Sequence, residues 1–148
     1  MRVITENKKA LFDYKILEKY RAGIVLTGQE VKSIKLGRIN ITGAYVVLRG
    51  EEAFLIGATV PPYQPRNLRE EYNPSHSRKL LLRKAEIKHL IGSAHQKGLT
   101  LVSLKVYTDA GKIKLEFGVG KHRKKVDKRE KIKKRETQRE IQRALKRG

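Results

Sequence analysis

The chain has 148 residues, with 35 Lys or Arg against 15 Asp or Glu and a formal charge of +20. That length suits one domain plus an appendage, and a cation excess of this size points to a polyanionic partner, nucleic acid above all. The absence of cysteine excludes zinc ribbons, thiol catalysis and disulfide scaffolds, and no apolar run approaches the roughly 20 residues that span a membrane.

Residues 1 to 10 are polar and contain no continuous apolar segment of the kind a secretory signal needs. From Leu11 the sequence alternates: Phe12, Tyr14 and Ile16 share one face. This predicts a long, bent strand from Leu11 to Leu26, with Gly23 allowing a kink or bulge. Thr27 followed three residues later by Glu30 is a capping box, so a short helix is predicted over 28 to 35, stopped near Gly37. Residues 44 to 49 and 52 to 60 read as a hairpin over Gly50 and Glu51. Pro61, Pro62 and Pro65 end its second strand, and a polar loop runs to about Ser77.

The segment 78 to 98 is predicted to be helical, with Leu81, Ala85, Leu90 and Ala94 on one stripe and Gly98 closing it. A second hairpin follows, 99 to 108 and 112 to 120, turning at Asp109-Ala110-Gly111. The order is strand, short helix, hairpin, helix, hairpin. It lacks the alternation of a doubly wound sheet. It predicts a mainly β fold with peripheral helices, an OB-type closed β-barrel of five to six antiparallel strands and two to three helices.

Residues 121 to 148 are different. They hold 14 Lys or Arg and four acids, half of the chain's net charge in under a fifth of its length. Such a block repels itself and has few apolar residues. It also has no proline, and no glycine before Gly148, so its helix propensity is high. We divide the chain into an RNA-binding barrel (1–120) and a basic tail (121–148), the tail disordered or conditionally helical and ordered by phosphates.

No arrangement for catalysis emerges. His89 and His95, six apart on a predicted helix, lie on different faces and make no metal pair. The adjacent acids Glu51-Glu52 and Glu70-Glu71 lie in a turn and a loop, where neighbours rarely converge on a metal. Glu30 is a helix cap before it is anything else. Nucleic-acid binding is the strong signal, with Tyr63 and Tyr72 in the long loop as the free aromatics. From the residues alone, a general structured-RNA-binding or ribosomal protein with an OB barrel ranks ahead of an RNA-processing nuclease.

Several strings then occur together and in order. They are N-K-K-A (7–10), G-x-E-V-K-S (28–33), E-A-F-L (52–55), N-P-x-x-x-R-K-L-L-L (73–82), K-G-L-T-L-V (97–102) and D-K-R (127–129). The chain thereby resembles, over nearly its whole length, the bacterial transfer-messenger RNA-binding family, small protein B. The resemblance implies a non-enzymatic cytoplasmic protein without cofactor or metal, monomeric when free. It implies binding to the tRNA-like domain of transfer-messenger RNA and delivery to stalled ribosomes for trans-translation. The tail would probe the empty 30S decoding centre and the mRNA channel. Elongation factor Tu and alanyl-tRNA synthetase are implied as indirect partners.

By the same resemblance, Asn7, Leu81, Lys114 and the helix segment Glu30, Lys32 and Ser33 are implied in RNA binding, joined by the cations Lys8, Lys9, Lys121, Arg123 and Lys124. Asp127, Lys128 and Arg129, with Lys133, Lys134 and Arg135, are implied on the ribosome. The sequence departs from the family pattern in three places. Arg21 stands where many members carry an acid implicated in RNA binding, a place where an arginine could contact phosphate. Val126 replaces the usual aromatic or His before D-K-R. His122 replaces the glycine of the usual G-K-K.

Overall fold

The computed structural model describes residues 1–64 and 71–147, and for 125–128, 130, 131 and 144–147 the backbone alone. Pro65 and Glu70 therefore lie outside the described residues. The chain opens with a strand that its polar composition concealed. β1 (Arg2–Glu6) pairs antiparallel with the far half of β6 (Leu99–Asp109), and its Ile4 packs on the core.

Asn7 then starts α1 (Lys8–Asp13), where the alternation predicts the beginning of a strand. The Ala10 amide donates to Asn7 Oδ1 at 3.1 Å, which satisfies one of the free donors of a first helical turn. The strand begins only at Tyr14 and ends at Ile24 (β2). Its ladder slips between Ile16 and Glu18, not at Gly23.

α2 (Gly28–Lys35) is the predicted helix. Thr27 and Glu30 cap each other reciprocally, and Gly37 leaves it at φ +82°. β3 (Tyr45–Arg49) and β4 (Glu52–Ile56) form the predicted hairpin. β4 stops at Ile56 rather than Val60 because Gly57 turns the chain at φ +82°. Beyond it Thr59 makes only a lone bridge with Asn40.

The largest correction falls on 78 to 98. Arg78–Leu81 is a strand, β5, and only Lys84–Ala94 is helical, α3. A short run such as R-K-L-L carries both periods. Here Arg78 and Leu80 are buried while Lys79 and Leu81 are exposed. β5 fills the gap between β4 and β2, so pairing with two neighbours overrides helix propensity.

β6 and β7 (Lys112–His122) form the longest ribbon, turned by Ala110 and Gly111 at φ +50° and +77°. β7 runs past Gly120 to His122, because Lys15 and Tyr14 of β2 still pair with it. α4 (Lys125–Arg147) follows.

Every strand pairing is antiparallel. β6 pairs with both β3 and β7, which closes β6-β3-β4-β5-β2-β7 into a ring and leaves β1 outside it. This is the mainly β, OB-type barrel with peripheral helices that the element order predicts, built with seven strands and four helices among the described residues. Ile34, Leu55, Leu80, Leu115 and Phe117 fill it.

A smaller apolar cluster, Ala10 with Val102 and Leu104 backed by Tyr14 and Ile16, seats α1 on the barrel wall. Two glycines of β7 allow so close a fit. A Cβ at Gly118 would lie 2.7 Å from Ile16 Cγ2, and one at Gly120 would lie 3.1 Å from Tyr14 Cβ. The cations of α1 are thereby fixed to a rigid sheet.

Candidate nucleic-acid interface

β2 is the axis of the first candidate surface. Gly23 pairs with Lys114 of β7 on one side and with Leu81 of β5 on the other. Arg21 lies two residues along β2, on the same outward face. Residues from three distant parts of the sequence thus meet in one groove of about 450 Å³, which Arg83 and Glu86 complete.

Leu81 is 57% exposed, unusual for a leucine on a sheet. It rests over Gly23, where an added Cβ would sit 3.5 Å from Leu81 Cβ. The Arg21 guanidinium lies 5.9 Å from the ring centroid of the buried Tyr107, which steadies a long side chain. Burial, only partly offset by Arg21, raises the Tyr107 phenol above its ordinary pKa. The groove therefore offers cations around an apolar plate, a surface suited to a sugar–phosphate chain.

The second cluster lies under α2. Glu30 is 1% exposed. Its carboxylate accepts from Arg78 Nε at 2.7 Å and from the Thr27 amide at 3.0 Å, and His76 Nε2 lies 3.0 Å away. Burial pushes its pKa up, but the Thr27 amide, Arg78 and His76 together outweigh that and hold it below the ordinary carboxylate value. Arg78, itself buried, also donates to the carbonyls of Ala58, His76 and Pro74.

Ser33 Oγ donates to the Pro61 carbonyl at 2.7 Å. Tyr72, read from sequence as a free loop aromatic, donates to the Val60 carbonyl at 2.7 Å. Its phenol is raised by burial and by Glu30. Glu30 and Ser33 are thus buried fasteners that tie α2 to the loop before β5. Lys32 is the exposed member of the trio, with Nζ 5.7 Å from the Tyr63 ring centroid. Tyr63 is therefore engaged as well.

The third cluster surrounds α1. Asn7 is 3% exposed. Its Nδ2 donates to the carbonyls of Ile41 and Ser103 at 3.2 and 3.0 Å, and its Oδ1 caps α1. Lys8 and Lys9 are exposed on the first turn. Lys121 is exposed on β7, Arg123 is half-buried with its amide donating to the Asp13 carbonyl at 2.8 Å, and Lys124 is exposed. His122 meets the edge of Tyr14, ring centroids 5.2 Å apart.

α4 leans on α1 through Arg135, whose guanidinium lies 5.7 Å from the Phe12 ring. Arg129, Lys133 and Lys134 are exposed on it. The side chains of Asp127 and Lys128 fall outside the described residues.

Sequence reasoning missed Arg78, Arg83 and Phe12. A continuous helix over 78 to 98 hides the first two inside it. The assumed strand from Leu11 turns Phe12 inward. The usable signal was N-K-K-A as a helix start, with Asn as cap.

Among the described residues no group of three or more His, Cys, Asp or Glu side chains is placed to hold a metal ion, and no helix is long and apolar enough to cross a membrane. A closed β-barrel carrying cation-rimmed grooves and a basic helix defines a nucleic-acid-binding protein. The profile of the SmpB protein family matches residues 4–147. The chain belongs to that family.

It is 47% identical over 147 residues to the SsrA-binding protein of Acaryochloris marina, covering 99% of this chain and 96% of that one. It is 50% identical over 145 residues to the SsrA-binding protein of Cupriavidus taiwanensis, covering 98% and 97%. A solved chain from "tmRNA-SmpB: a journey to the center of the bacterial ribosome" superposes with a TM-score of 0.69. It is 40% identical, and the match covers 84% of this chain and 87% of that one. The relatives carry a binding name, not an enzymatic one, and the family is one of RNA-binding proteins.

Proposed function

We propose that this chain binds the tRNA-like domain of transfer-messenger RNA and delivers it to stalled ribosomes for trans-translation. The observation that carries the reading is the convergence of Arg21, Leu81 and Lys114 in one groove, on a chain whose relatives are SsrA-binding proteins. The contacts are Arg21, Leu81 and Lys114 in the groove, with Lys8, Lys9, Lys32, Lys121, Arg123 and Lys124 on neighbouring surfaces. Asn7, Glu30 and Ser33 serve by position: their side chains are spent on protein, and they hold α1 and α2 where their lysines face outward.

In this reading residues 121–148 act on the ribosome. Asp127, Lys128, Arg129, Lys133, Lys134 and Arg135 contact the vacant decoding site and mRNA channel. Elongation factor Tu and alanyl-tRNA synthetase meet the same RNA, and the work is cytoplasmic. Affinity for the tRNA-like domain of transfer-messenger RNA, for ordinary tRNA and for duplex RNA is measured at one fixed salt concentration. The first should bind tightest. Equal binding to all three would overturn the reading in favour of a general structured-RNA binder.

A further inference from the structure

The groove across β2 contains a residue that no motif supplies. Arg83 stands between β5 and α3, as the residue that precedes the helix. Its backbone amide donates to Glu86 Oε1 at 3.1 Å, so the one carboxylate of the groove is already engaged at the helix start. The Arg83 side chain is exposed. Among the described residues neither Arg83 nor Lys114 makes an ion pair. Arg21 is held by the face of Tyr107, not by an acid. Among the described residues none of the three cations that rim the groove makes an ion pair, although Glu116, itself paired with Lys105, lies opposite Arg21 in the ladder.

The register gives the spacing. Lys114 and Leu81 flank Gly23 on the two neighbouring strands, about 10 Å apart across two strand spacings. Arg21 lies about 7 Å along β2 on the same face. Gly23 has no side chain, and Leu81 leans over it. The space, about 450 Å³, lies in the range that holds a small ligand, roughly 300–1,000 Å³.

We infer that Arg21, Arg83 and Lys114 form a phosphodiester subsite, with the exposed face of Leu81 against the adjoining ribose or base. The inference rests on the RNA-binding reading above and deepens it. It makes Arg83 a contact residue in its own right. It also makes position 21 a phosphate contact, a partner that suits its positive charge. Arginine suits this role because its planar fork donates to two oxygens of one phosphate.

The test is a salt series. The full chain and its R83A, R21A, R83K and K88A variants are titrated with the tRNA-like fragment of transfer-messenger RNA. The slope of log affinity against log salt counts neutralised phosphates, at about 0.7–0.9 per contact. R83A and R21A should each flatten the slope by about that amount and weaken binding about ten-fold or more. R83K should keep the slope while losing affinity, since charge survives and the fork does not. K88A, on the exposed side of α3 outside the groove, should change neither.

Unchanged slopes in R83A and R21A would overturn the subsite. So would a K88A loss as large as that of R83A, since the charge would then act diffusely. Should the wild-type chain bind ordinary tRNA as well as the fragment, the proposed function fails. The subsite is then still decided by the slopes measured on that tRNA. All four substitutions are at exposed positions, and matching thermal unfolding curves confirm that the fold is intact.

Discussion

The barrel and the C-terminal segment carry the same net charge, about +10 each, yet they hold it in opposite ways. In the barrel 21 basic residues are mixed with 11 acids, and two cations of the groove, Arg21 and Lys114, stand on paired strands. Arg21 is fixed by a ring, and Lys114 and Leu81 are fixed by register. In residues 121–148 most of the charge lies along α4, whose described side-chain contact with the body is Arg135 on Phe12. Equal charge thus sits on a paired sheet in one region and largely along a helix in the other. Preorganisation favours selectivity, whereas a self-repelling rod gains most from a phosphate-lined channel.

The sharpest way to break this contrast is truncation. Ending the chain after Lys124 should leave the barrel's melting temperature unchanged and most RNA affinity intact, while tagging of stalled products falls to background. Ending it after Gly120 should also cost about 1 kcal/mol or more of stability. That cut removes Lys121 and His122 from their pairing with Lys15 and Tyr14. Loss of the fold in the longer truncation would show that the two regions are one unit.

The second test concerns what makes the barrel rigid. Arg78→Ala should cost about 3–5 kcal/mol in urea unfolding, because it strips the buried Glu30 carboxylate of its closest cation. A pH effect follows. The Glu30 pKa is depressed in the folded chain, so its stabilisation is full above the ordinary carboxylate range. That stabilisation is lost as pH falls through the folded value. A pH series should show this acid-limb loss in the wild type and a smaller one in Glu30→Gln. Equal acid limbs would mean that the latch does not hold α2.

What could be read ahead of the structure was what depends on neighbours in sequence. Thr27 and Glu30 are three apart, and their box is as predicted. Both hairpins announce themselves by their turns. What could not be read depends on distant partners. Arg78–Leu81 is a strand because β2 and β4 wait on either side. Glu30 finds Arg78 across 48 residues, a pairing that no local pattern encodes. Arg21, Leu81 and Lys114 could be named singly, by likeness to a family. That they share a groove with Arg83 follows only from the register of β2.

The smallest expected effect bears on the joint between the two regions. Phe12 faces Arg135 of α4, an exposed cation–π contact worth about 0.5–1 kcal/mol. Phe12→Ala should therefore speed amide exchange in the first half of α4 by up to about five-fold and leave the barrel's exchange alone. Phe12→Tyr keeps the ring face and should restore the wild-type rate. RNA affinity should hold in both, because Phe12 lies away from the β2 groove, while the tagging rate should follow the exchange rate. If Phe12→Ala lowered RNA affinity and spared tagging, Phe12 itself would belong to the RNA surface beside Lys8 and Lys9. The joint would then not be what aims the helix.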